Sequence, residues 1–396
     1  MSYWNFVLKR IDWKLVLALV VVCAAQPAFA STETLLYSFG AYTADAIGPG
    51  ASLVMDTAGN LYGTTYGGGA YDYGAVFKLT PSGTETVLYS FGSQTGDGNH
   101  PEAGLIMDKK GNFYGTAYEG GADGWGTVFK LTPAGKETVL YSFKGDPDGG
   151  KPMAGLIMDK SKNLYGTTTT GGAYGNGTVF KVTPSGNETL LYTFGSIPDG
   201  NTPWGGVIMD TAGSLYGTTF YGGTYDDGTV FTLSPSGTET VLHSFNGSPG
   251  DGAYPLSSLI MDKKGNTYGT TEQGGTDGYG TVFELTAAGA ESVLYNFGSQ
   301  PGDGSNTYPY AGLITDKKGN LYGTTLFGGT DNDGIVFEVS KKGSAWKETI
   351  LHTFTGEPGD GQRPFAGLIM DKAGNLYGAT YYGGAYNNGT VFEVTP

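Results

Sequence analysis

The chain has 396 residues with 22 basic and 37 acidic side chains, giving a formal net charge of −15. Such a chain would repel nucleic-acid phosphates, so its charge excludes nucleic-acid binding. Its single cysteine, Cys23, excludes an internal disulfide and a cysteine-based zinc site.

The first thirty residues predict a secretory signal peptide. Basic residues precede an apolar run from Leu15 to Ala25, and small residues follow up to Ala30. This run is much shorter than the roughly 20 residues of a membrane-spanning helix. We predict cleavage after Ala30, no membrane span in the mature chain, and a secreted, extracellular or periplasmic protein. Cleavage would remove Cys23 and a net charge of +2, which changes −15 to −17.

The rest of the chain is a tandem repeat. Self-comparison finds seven copies spaced 51 to 55 residues apart, each with a proline seven residues before an aspartate and a tyrosine six residues after it. The marker aspartates are Asp56, Asp108, Asp159, Asp210, Asp262, Asp316 and Asp371.

Each copy predicts four short strands, A to D, which in the second copy are Ala103–Asp108, Asn112–Ala117, Thr127–Thr132 and Glu137–Phe143. They are rich in β-branched and aromatic residues and are separated by Gly, Pro and Asp. Four strands in about 50 residues are typical of a propeller blade. We predict an all-β, seven-bladed β-propeller with four antiparallel strands per blade and repeats of about 52 residues.

The connection between strands A and B runs from Asp108 to Asn112 and has the composition of a type I turn. A repeated turn accounts for all seven marker aspartates, so a catalytic or metal-binding role for them is not needed.

The two ends of the repeat region predict how the ring closes. The mature chain begins with a D-type strand, Glu33–Phe39, and ends with a C-type strand, Thr390–Thr395. Pairing them completes the last blade and removes exposed strand edges. We therefore expect one domain over residues 31–396, and a monomer.

One long motif recurs in the repeats: Leu164–Thr168, then Gly171-Gly172, then Gly177–Phe180. It resembles the Gloeo/Verruco tandem repeat of the "choice-of-anchor" GloVer proteins. The resemblance implies an exported bacterial repeat protein, often with a sorting anchor at one end, and it implies no reaction. Since the chain stops at Pro396 without an apolar tail, we expect release rather than surface anchoring.

Function is predicted on the face that carries the B–C and D–A loops, because these loops vary between copies. The D–A loops contain Gly-Asp-Gly or Pro-Asp-Gly, which favours turns. Binding of a cation such as calcium by these aspartates is the alternative. The residue after each repeated proline should lie near the central channel. These residues are Gly50, Glu102, Met153, Trp204, Leu256, Tyr310 and Phe365.

Aromatic rings beside carboxylates suit a carbohydrate, which stacks on rings and donates hydroxyl groups to acids. We therefore predict non-catalytic recognition of a glycan, a polysaccharide or a protein partner. The candidate ligand-binding residues are Trp125, Trp204, Tyr310, Phe365, Glu102, Asp97, Asp251 and Asp303. Covering of grooves between blades is the alternative explanation for the loop tyrosines.

Two other functions stay open. A carbohydrate-active enzyme, a glycosidase or lyase, could use Glu102 with a loop aspartate on the same face. A structural envelope protein would need no binding site. Neither a histidine cluster for zinc nor a Ser-His-Asp set is predicted, and His243 and His352 are interpreted as packing substitutions for a D-strand tyrosine.

Overall fold

The structure, a computed structural model, describes residues 31–247, 249–300, 302–305, 312–356 and 359–396. These residues form seven four-stranded antiparallel sheets, each joined in the order A-B-C-D, arranged as a seven-bladed β-propeller. The prediction of the fold is therefore confirmed. The predicted signal peptide lies outside the described residues. No helix long and apolar enough to cross a membrane is found in the part of the chain that is described.

The strands of blades 1 to 7 repeat closely in length. The A strands are Val54–Met55, Ile106–Met107, Ile157–Met158, Ile208–Met209, Ile260–Met261, Ile314–Thr315 and Ile369–Met370. The B strands are Leu61–Thr65, Phe113–Ala117, Leu164–Thr168, Leu215–Thr219, Thr267–Thr271, Leu321–Thr325 and Leu376–Thr380. The C strands are Ala75–Leu79, Thr127–Leu131, Thr178–Val182, Thr229–Leu233, Thr281–Leu285, Ile335–Lys342 and Thr390–Thr395. The D strands of blades 1 to 6 are Glu85–Ser90, Glu137–Ser142, Glu188–Thr193, Glu239–Ser244, Glu291–Asn296 and Ala345–Thr353.

The D strand of blade 7 is the N-terminal strand Thr32–Ser38, which pairs with Thr390–Thr395. Its register runs from Thr32 opposite Thr395 to Ser38 opposite Thr390. The ring thus closes with three strands from the C-terminal end and one from the N-terminal end, as the sequence predicts.

Short ladders also tie each D–A loop to the B–C loop of the following blade. The pairs are Ala46–Ile47 with Gly67–Gly68, Gly98–Asn99 with Glu119–Gly120, Gly200–Asn201 with Tyr221–Gly222, Gly252–Ala253 with Gln273–Gly274, Gly304–Ser305 with Phe327–Gly328, and Gly361–Gln362 with Tyr382–Gly383. In the loop that enters blade 3, a bridge between Gly150 and Thr170 replaces the ladder. The loops that carry the variable residues are therefore held by backbone pairing.

The hydrophobic core is divided among the seven boundaries between blades. At the boundary of blades 1 and 2, Tyr62 and Val76 pack against Phe113 and Phe129. Equivalent clusters lie at the other six boundaries. Because each blade buries its faces against its neighbours, loss of one blade would expose two core clusters.

The repeated motif has a direct packing explanation. The glycine of each B strand lies beside the phenylalanine of its C strand: a Cβ added to Gly166 would lie 2.7 Å from Cζ of Phe180. The next residue, a threonine in six blades, reaches across the boundary. The hydroxyl of Thr116, for example, donates to the carbonyl of Ala154 in the next blade at 3.2 Å.

Strand A is shorter than the sequence predicts, and the threonine bond gives the reason. Only Ile106 and Met107 of the predicted segment Ala103–Asp108 form a ladder with strand B. The inner part of the segment is held instead by a neighbouring blade, since the hydroxyl of Thr64 donates to the carbonyl of Ala103 at 2.9 Å.

The marker aspartates form the A–B turns. Oδ1 of Asp56 accepts backbone N–H bonds from Ala58 and Asn60 at 2.8 and 2.9 Å, and Oδ2 accepts the Tyr62 hydroxyl at 3.0 Å. Burial opposes ionisation of Asp56, but its hydrogen bonds from Asn60, Tyr62 and Ala58 lower its pKa overall. The tyrosine hydroxyl donates to the aspartate in every copy, so the turn accounts for both repeated residues.

Candidate functional site

The B–C/D–A face carries a ring of residues in an unusual backbone conformation. The residue before the repeated proline has a φ between 53° and 58° at His100, Lys151, Thr202, Tyr254 and Arg363, and of 67° at Gly48 in blade 1. For a residue with a side chain, this left-handed conformation costs about 1–2 kcal/mol. Strain of this kind concentrates at functional positions.

Backbone hydrogen bonds hold these residues in place. The N–H of His100 donates to the carbonyl of Tyr73 at 2.8 Å, and its carbonyl accepts the N–H of Tyr118 at 3.2 Å. The equivalent residue of the five other blades named above makes the same two backbone hydrogen bonds to its neighbouring loops. Because the backbone alone fixes the position, the fold does not dictate the side chain, which is His, Lys, Thr, Tyr or Arg.

Four of the seven residues after the repeated proline line one cavity, which we call the channel cavity. These are Glu102, Met153, Trp204 and Leu256, and the cavity has a volume of about 210 Å³. Two glycines of neighbouring blades in the wall of this cavity approach closely: a Cβ added to Gly206 would lie 2.8 Å from the carbonyl oxygen of Gly155. Tyr310 lies outside the described residues.

A separate cavity of about 260 Å³ opens on the same face where the N- and C-terminal ends of the ring meet. We call it the aromatic pocket. It is lined by Gly50, Tyr66, Pro101, Glu102, Phe365, Tyr381 and Tyr382. Gly50 is the post-proline residue of blade 1, where other copies carry a large side chain. A Cβ added there would meet Tyr381 at 3.5 Å, so the missing side chain leaves this space open.

The rings of the pocket are held by one another and by the loops. Tyr381 packs edge-on against Phe365 and Tyr382, with ring centres 5.3 and 4.8 Å apart. Tyr66 stacks on His100 at 4.4 Å, and Nδ1 of His100 lies 2.9 Å from the carbonyl oxygen of Tyr66. These contacts preorganise an aromatic wall.

Glu102 supplies negative charge to this wall. Burial, then the nearby Tyr382, Tyr66 and Glu102, raise the pKa of Tyr381 to about 12. Burial and the charge of Glu102 also raise the pKa of Tyr66. The tyrosines therefore stay neutral near pH 7 and can donate hydrogen bonds, while Glu102 can accept them.

The candidate Trp204 belongs to a second aromatic cluster. Its ring stacks on Phe220 at 5.3 Å, and Phe220 contacts Tyr254 at 5.0 Å and Tyr221 at 4.5 Å. The structure therefore brings Glu102 and Phe365 together at the aromatic pocket, and Glu102 and Trp204 together at the channel cavity.

Trp125 has different surroundings. Its ring covers two glycines of the next D–A loop: a Cβ added to Gly145 or Gly150 would lie 2.8 Å from the indole. Tyr73 covers Gly92 and Tyr279 covers Gly298 in the same way. Trp125 lines neither cavity, and these contacts favour a packing role. Its role as a ligand anchor stays a prediction.

The candidate aspartates of the D–A loops hold their own turns. Oδ2 of Asp97 accepts the Tyr89 hydroxyl at 2.7 Å and the N–H of Ser93 at 3.0 Å. Asp303 makes the corresponding bonds, and Asp251 accepts the N–H groups of Asn246 and Gly252. All three are buried. The turn explanation accounts for these contacts, and a ligand role for these residues stays a prediction.

Sequence reasoning missed one loop aspartate, Asp45, which accepts backbone bonds from Gly40 and Ala41 at 2.7 and 2.8 Å. It is not followed by glycine, but it stands four residues before Pro49, the spacing of Asp97 from Pro101. That spacing could have found it.

A second missed feature is the glutamate of each D strand, whose carboxyl group meets the loop aspartate of the preceding boundary. The pairs are Asp45 with Glu85, Asp97 with Glu137, Asp148 with Glu188, Asp199 with Glu239, Asp251 with Glu291, Asp303 with Glu348, and Asp360 with Glu33. We call them the boundary carboxyl pairs. In every pair, one glutamate oxygen is buried without a hydrogen-bond partner in the described structure. Self-comparison of the repeats could have found these glutamates.

The opposite face also has grooves, including one of about 520 Å³ between the A–B turns of blades 4 and 5. Its lining includes Asp210 and Asp262, which are turn residues present in every copy. A groove built from repeated turn residues offers less basis for selectivity than the variable residues of the aromatic pocket.

Comparison with known families identifies the repeat. The sequence matches the Gloeobacter/Verrucomicrobia repeat family over residues 48–276 and 257–396, so the chain belongs to this family. No curated protein sequence matches it.

The fold is similar to solved extracellular domains from B. thetaiotaomicron. The domain assigned to the hybrid two component system BT3049 superposes with a TM-score of 0.58 at 13% identity, covering 92% of this chain and 41% of that one. The domain assigned to the hybrid two component system BT4673 superposes with a TM-score of 0.57 at 13% identity, and the match covers 91% of this chain and 39% of that one. The chain therefore spans about two fifths of these structures, and the likeness shows a shared propeller fold.

Proposed function

We propose that this protein is a non-catalytic recognition propeller that works outside the cytoplasm and binds a glycan at the aromatic pocket. The observation that carries the proposal is the pocket itself: aromatic rings surround a cavity of about 260 Å³ beside Glu102, where Gly50 replaces a large side chain. A sugar ring can stack its C–H faces on such walls while its hydroxyl groups donate to the carboxylate.

The size of the pocket indicates which part of a glycan would enter it. Pockets for drug-sized ligands occupy about 300–1,000 Å³. A cavity of about 260 Å³ suits a single terminal sugar. The rest of a longer glycan would then lie along the ring of variable residues before the prolines, which includes His100, Lys151 and Arg363.

The arrangement of charge supports binding rather than turnover. Hydrolysis of a glycosidic bond ordinarily uses two carboxyl groups on opposite sides of the bond. Of the seven residues that line the aromatic pocket, Glu102 alone carries a carboxyl group. A protein partner is the alternative ligand, and it would use the same variable residues over a wider surface.

Two further observations support a location outside the cytoplasm. The first thirty residues have the composition of a signal peptide. Structures with the same fold are described as extracellular domains. Because these structures are only 13% identical to this chain, they show its fold, and the location outside the cytoplasm is part of our proposal.

The test is binding of the purified protein to a glycan and polysaccharide array, followed by calorimetry on any glycan that binds. Gly50→Leu fills the pocket with the side chain that blade 5 carries at Leu256, and we expect at least a tenfold loss of affinity. Glu102→Gln keeps the shape and removes the charge, and we expect about a tenfold loss, or about 1.4 kcal/mol.

Tyr279→Ala is the matched control, because Tyr279 lies on the same face and covers Gly298 but lines neither cavity. The affinity of this control variant for the glycan should stay within twofold of that of the unmodified protein. Equal binding by Gly50→Leu would place the glycan elsewhere. Absence of any glycan binding would leave the protein partner as the better account.

A further inference from the structure

Two of the seven blade boundaries bring a histidine, an aspartate and a glutamate together. At the boundary of blades 4 and 5 these are His243, Asp251 and Glu291; at that of blades 6 and 7 they are His352, Asp360 and Glu33. In each group one potential ligand atom from every residue lies within 4.8 Å of the others. Asp251 is buried, and the other five residues are half-buried.

The distances do not describe a tight ion pair. Nε2 of His243 lies 3.3 and 3.2 Å from the two oxygens of Asp251, and Nε2 of His352 lies 3.4 Å from Oδ1 of Asp360. A charge-assisted hydrogen bond is shorter, at about 2.7–2.9 Å. Two ligands about 2.1 Å from a tetrahedral zinc ion lie about 3.4 Å apart, which is the separation seen here.

The third ligand is a glutamate oxygen that is available for coordination. One carboxyl oxygen of Glu291 and one of Glu33 are buried and have no hydrogen-bond partner in the described structure. The glutamates of the other five boundaries share this feature, so the histidine is what distinguishes these two. One carboxyl oxygen of each glutamate also lies within 4.8 Å of one from its aspartate, so the two carboxylates repel each other. A cation between the two carboxylates would satisfy the buried oxygen and remove the repulsion.

The other five boundaries provide an internal comparison. Their D strands carry a tyrosine where these two carry histidine: Tyr37, Tyr89, Tyr141, Tyr192 and Tyr295. Each tyrosine donates its hydroxyl group to the loop aspartate. A neutral phenol is a donor at this position, whereas a neutral imidazole is a metal ligand.

We propose that His243, Asp251 and Glu291 form one divalent-metal site and that His352, Asp360 and Glu33 form a second. Two carboxylates and one imidazole suit a first-row transition metal such as Zn²⁺, with water as the remaining ligand. Asp251 and Asp360 are already oriented by N–H groups of their own loops, which is the support that metal-binding carboxylates require.

The second site has a structural consequence. Glu33 lies on the N-terminal strand that closes blade 7, whereas His352 and Asp360 belong to blade 6 and the loop that leaves it. A metal ion at this site joins the closing strand to the neighbouring blade. Metal binding there should therefore stabilise the closed ring, because it opposes release of the strand.

The experiment uses the purified protein, freed of metal with a chelator and titrated with ZnCl₂ by calorimetry, with bound zinc measured by elemental analysis after gel filtration. We expect two zinc ions per chain and a rise of several degrees in the unfolding midpoint. His243→Tyr and His352→Tyr each install the residue of the other blades, so each should fold and bind one ion. The double variant should bind none and show no rise.

Glu291→Gln tests the first site without changing the histidine and should lower zinc affinity at least tenfold. His100→Ala removes a histidine outside both groups and should still bind two ions. Retention of two zinc ions by the folded double variant, or absence of zinc binding by the unmodified protein, would overturn the proposal.

Discussion

The hydroxyl group of Tyr89 donates a hydrogen bond to Asp97 at 2.7 Å, which joins the end of blade 1 to the loop that leads into blade 2. The charge of Asp97 also acts on Glu137 of blade 2. Burial first, and then Asp97, raise the pKa of Glu137 to about 7, although the amide of Gln94 donates to it at 2.9 Å. With a pKa of about 7, Glu137 is partly protonated at a neutral pH at which an ordinary glutamate is ionised.

The unfolding free energy should consequently fall as pH rises from about 5 to 8. A carboxyl group with a raised pKa in the folded state stabilises the fold below its unfolded pKa and loses that contribution as pH passes its folded value. Glu85, Glu188 and Glu239 share a pKa of about 7, with burial as the first cause. Denaturant unfolding at each pH, in chelator so that metal does not contribute, measures this slope.

Glu137→Gln isolates one such group. The amide has no charge to bury, so the variant should be about 1–3 kcal/mol more stable than the unmodified protein at pH 8 and nearly equal to it at pH 5. The same difference at both pH values would show that Glu137 does not titrate in this range.

Closure by the N-terminal strand predicts that Phe39 stabilises the ring as much as an equivalent residue inside it. Phe39 is fully buried and packs edge-on against Phe77 of blade 1 at 5.0 Å. Phe194 packs in the same way against Phe231 at 5.1 Å. Phe39→Ala and Phe194→Ala should each cost about 3–5 kcal/mol in chemical unfolding. A cost below about 1 kcal/mol for Phe39→Ala alone would mean that the strand is not part of the cooperative fold.

The repeat made the fold predictable, because each position occurs seven times in one sequence. The four strands, the aspartate turns and the closing strand all follow from local patterns around residues such as Asp108 and Gly111. The short A strands did not follow, since their inner ends are held by threonines such as Thr64 from the neighbouring blade. The repeat marks the threonine, but the sequence does not indicate which carbonyl group of the neighbouring blade it binds.

The candidate site was predictable only in part. Comparison of the post-proline residues identified variable residues on this face, including Glu102 and Phe365. It did not identify the aromatic pocket, whose main feature is the missing side chain of Gly50 and whose other rings, Tyr66 and Tyr381, follow the B strands of blades 1 and 7. Only closure of the ring brings blade 7 beside blade 1.

Trp125 should affect stability more than glycan binding. Its indole covers the backbone at Gly145 and Gly150 and remains 39% exposed. Trp125→Ala should cost about 1–2 kcal/mol in denaturant unfolding, because part of a large apolar side chain leaves its contacts. A loss of glycan affinity of tenfold or more, with stability unchanged, would instead support the role of Trp125 as an anchor.

The glycine of each B strand should tolerate no side chain. A Cβ at Gly166 would lie 2.7 Å from Phe180 and 2.9 Å from Leu156, both buried in the core, so Gly166→Ala should cost about 1–3 kcal/mol. Gly155 is the matched control, because a Cβ there meets the carbonyl oxygen of Gly104 at an ordinary 3.5 Å. Gly155→Ala should be neutral or stabilise the fold by up to about 1 kcal/mol, since alanine reduces the freedom of the unfolded chain. Equal costs for the two variants in thermal or denaturant unfolding would show that the close contact with Phe180 is not why the repeat requires glycine.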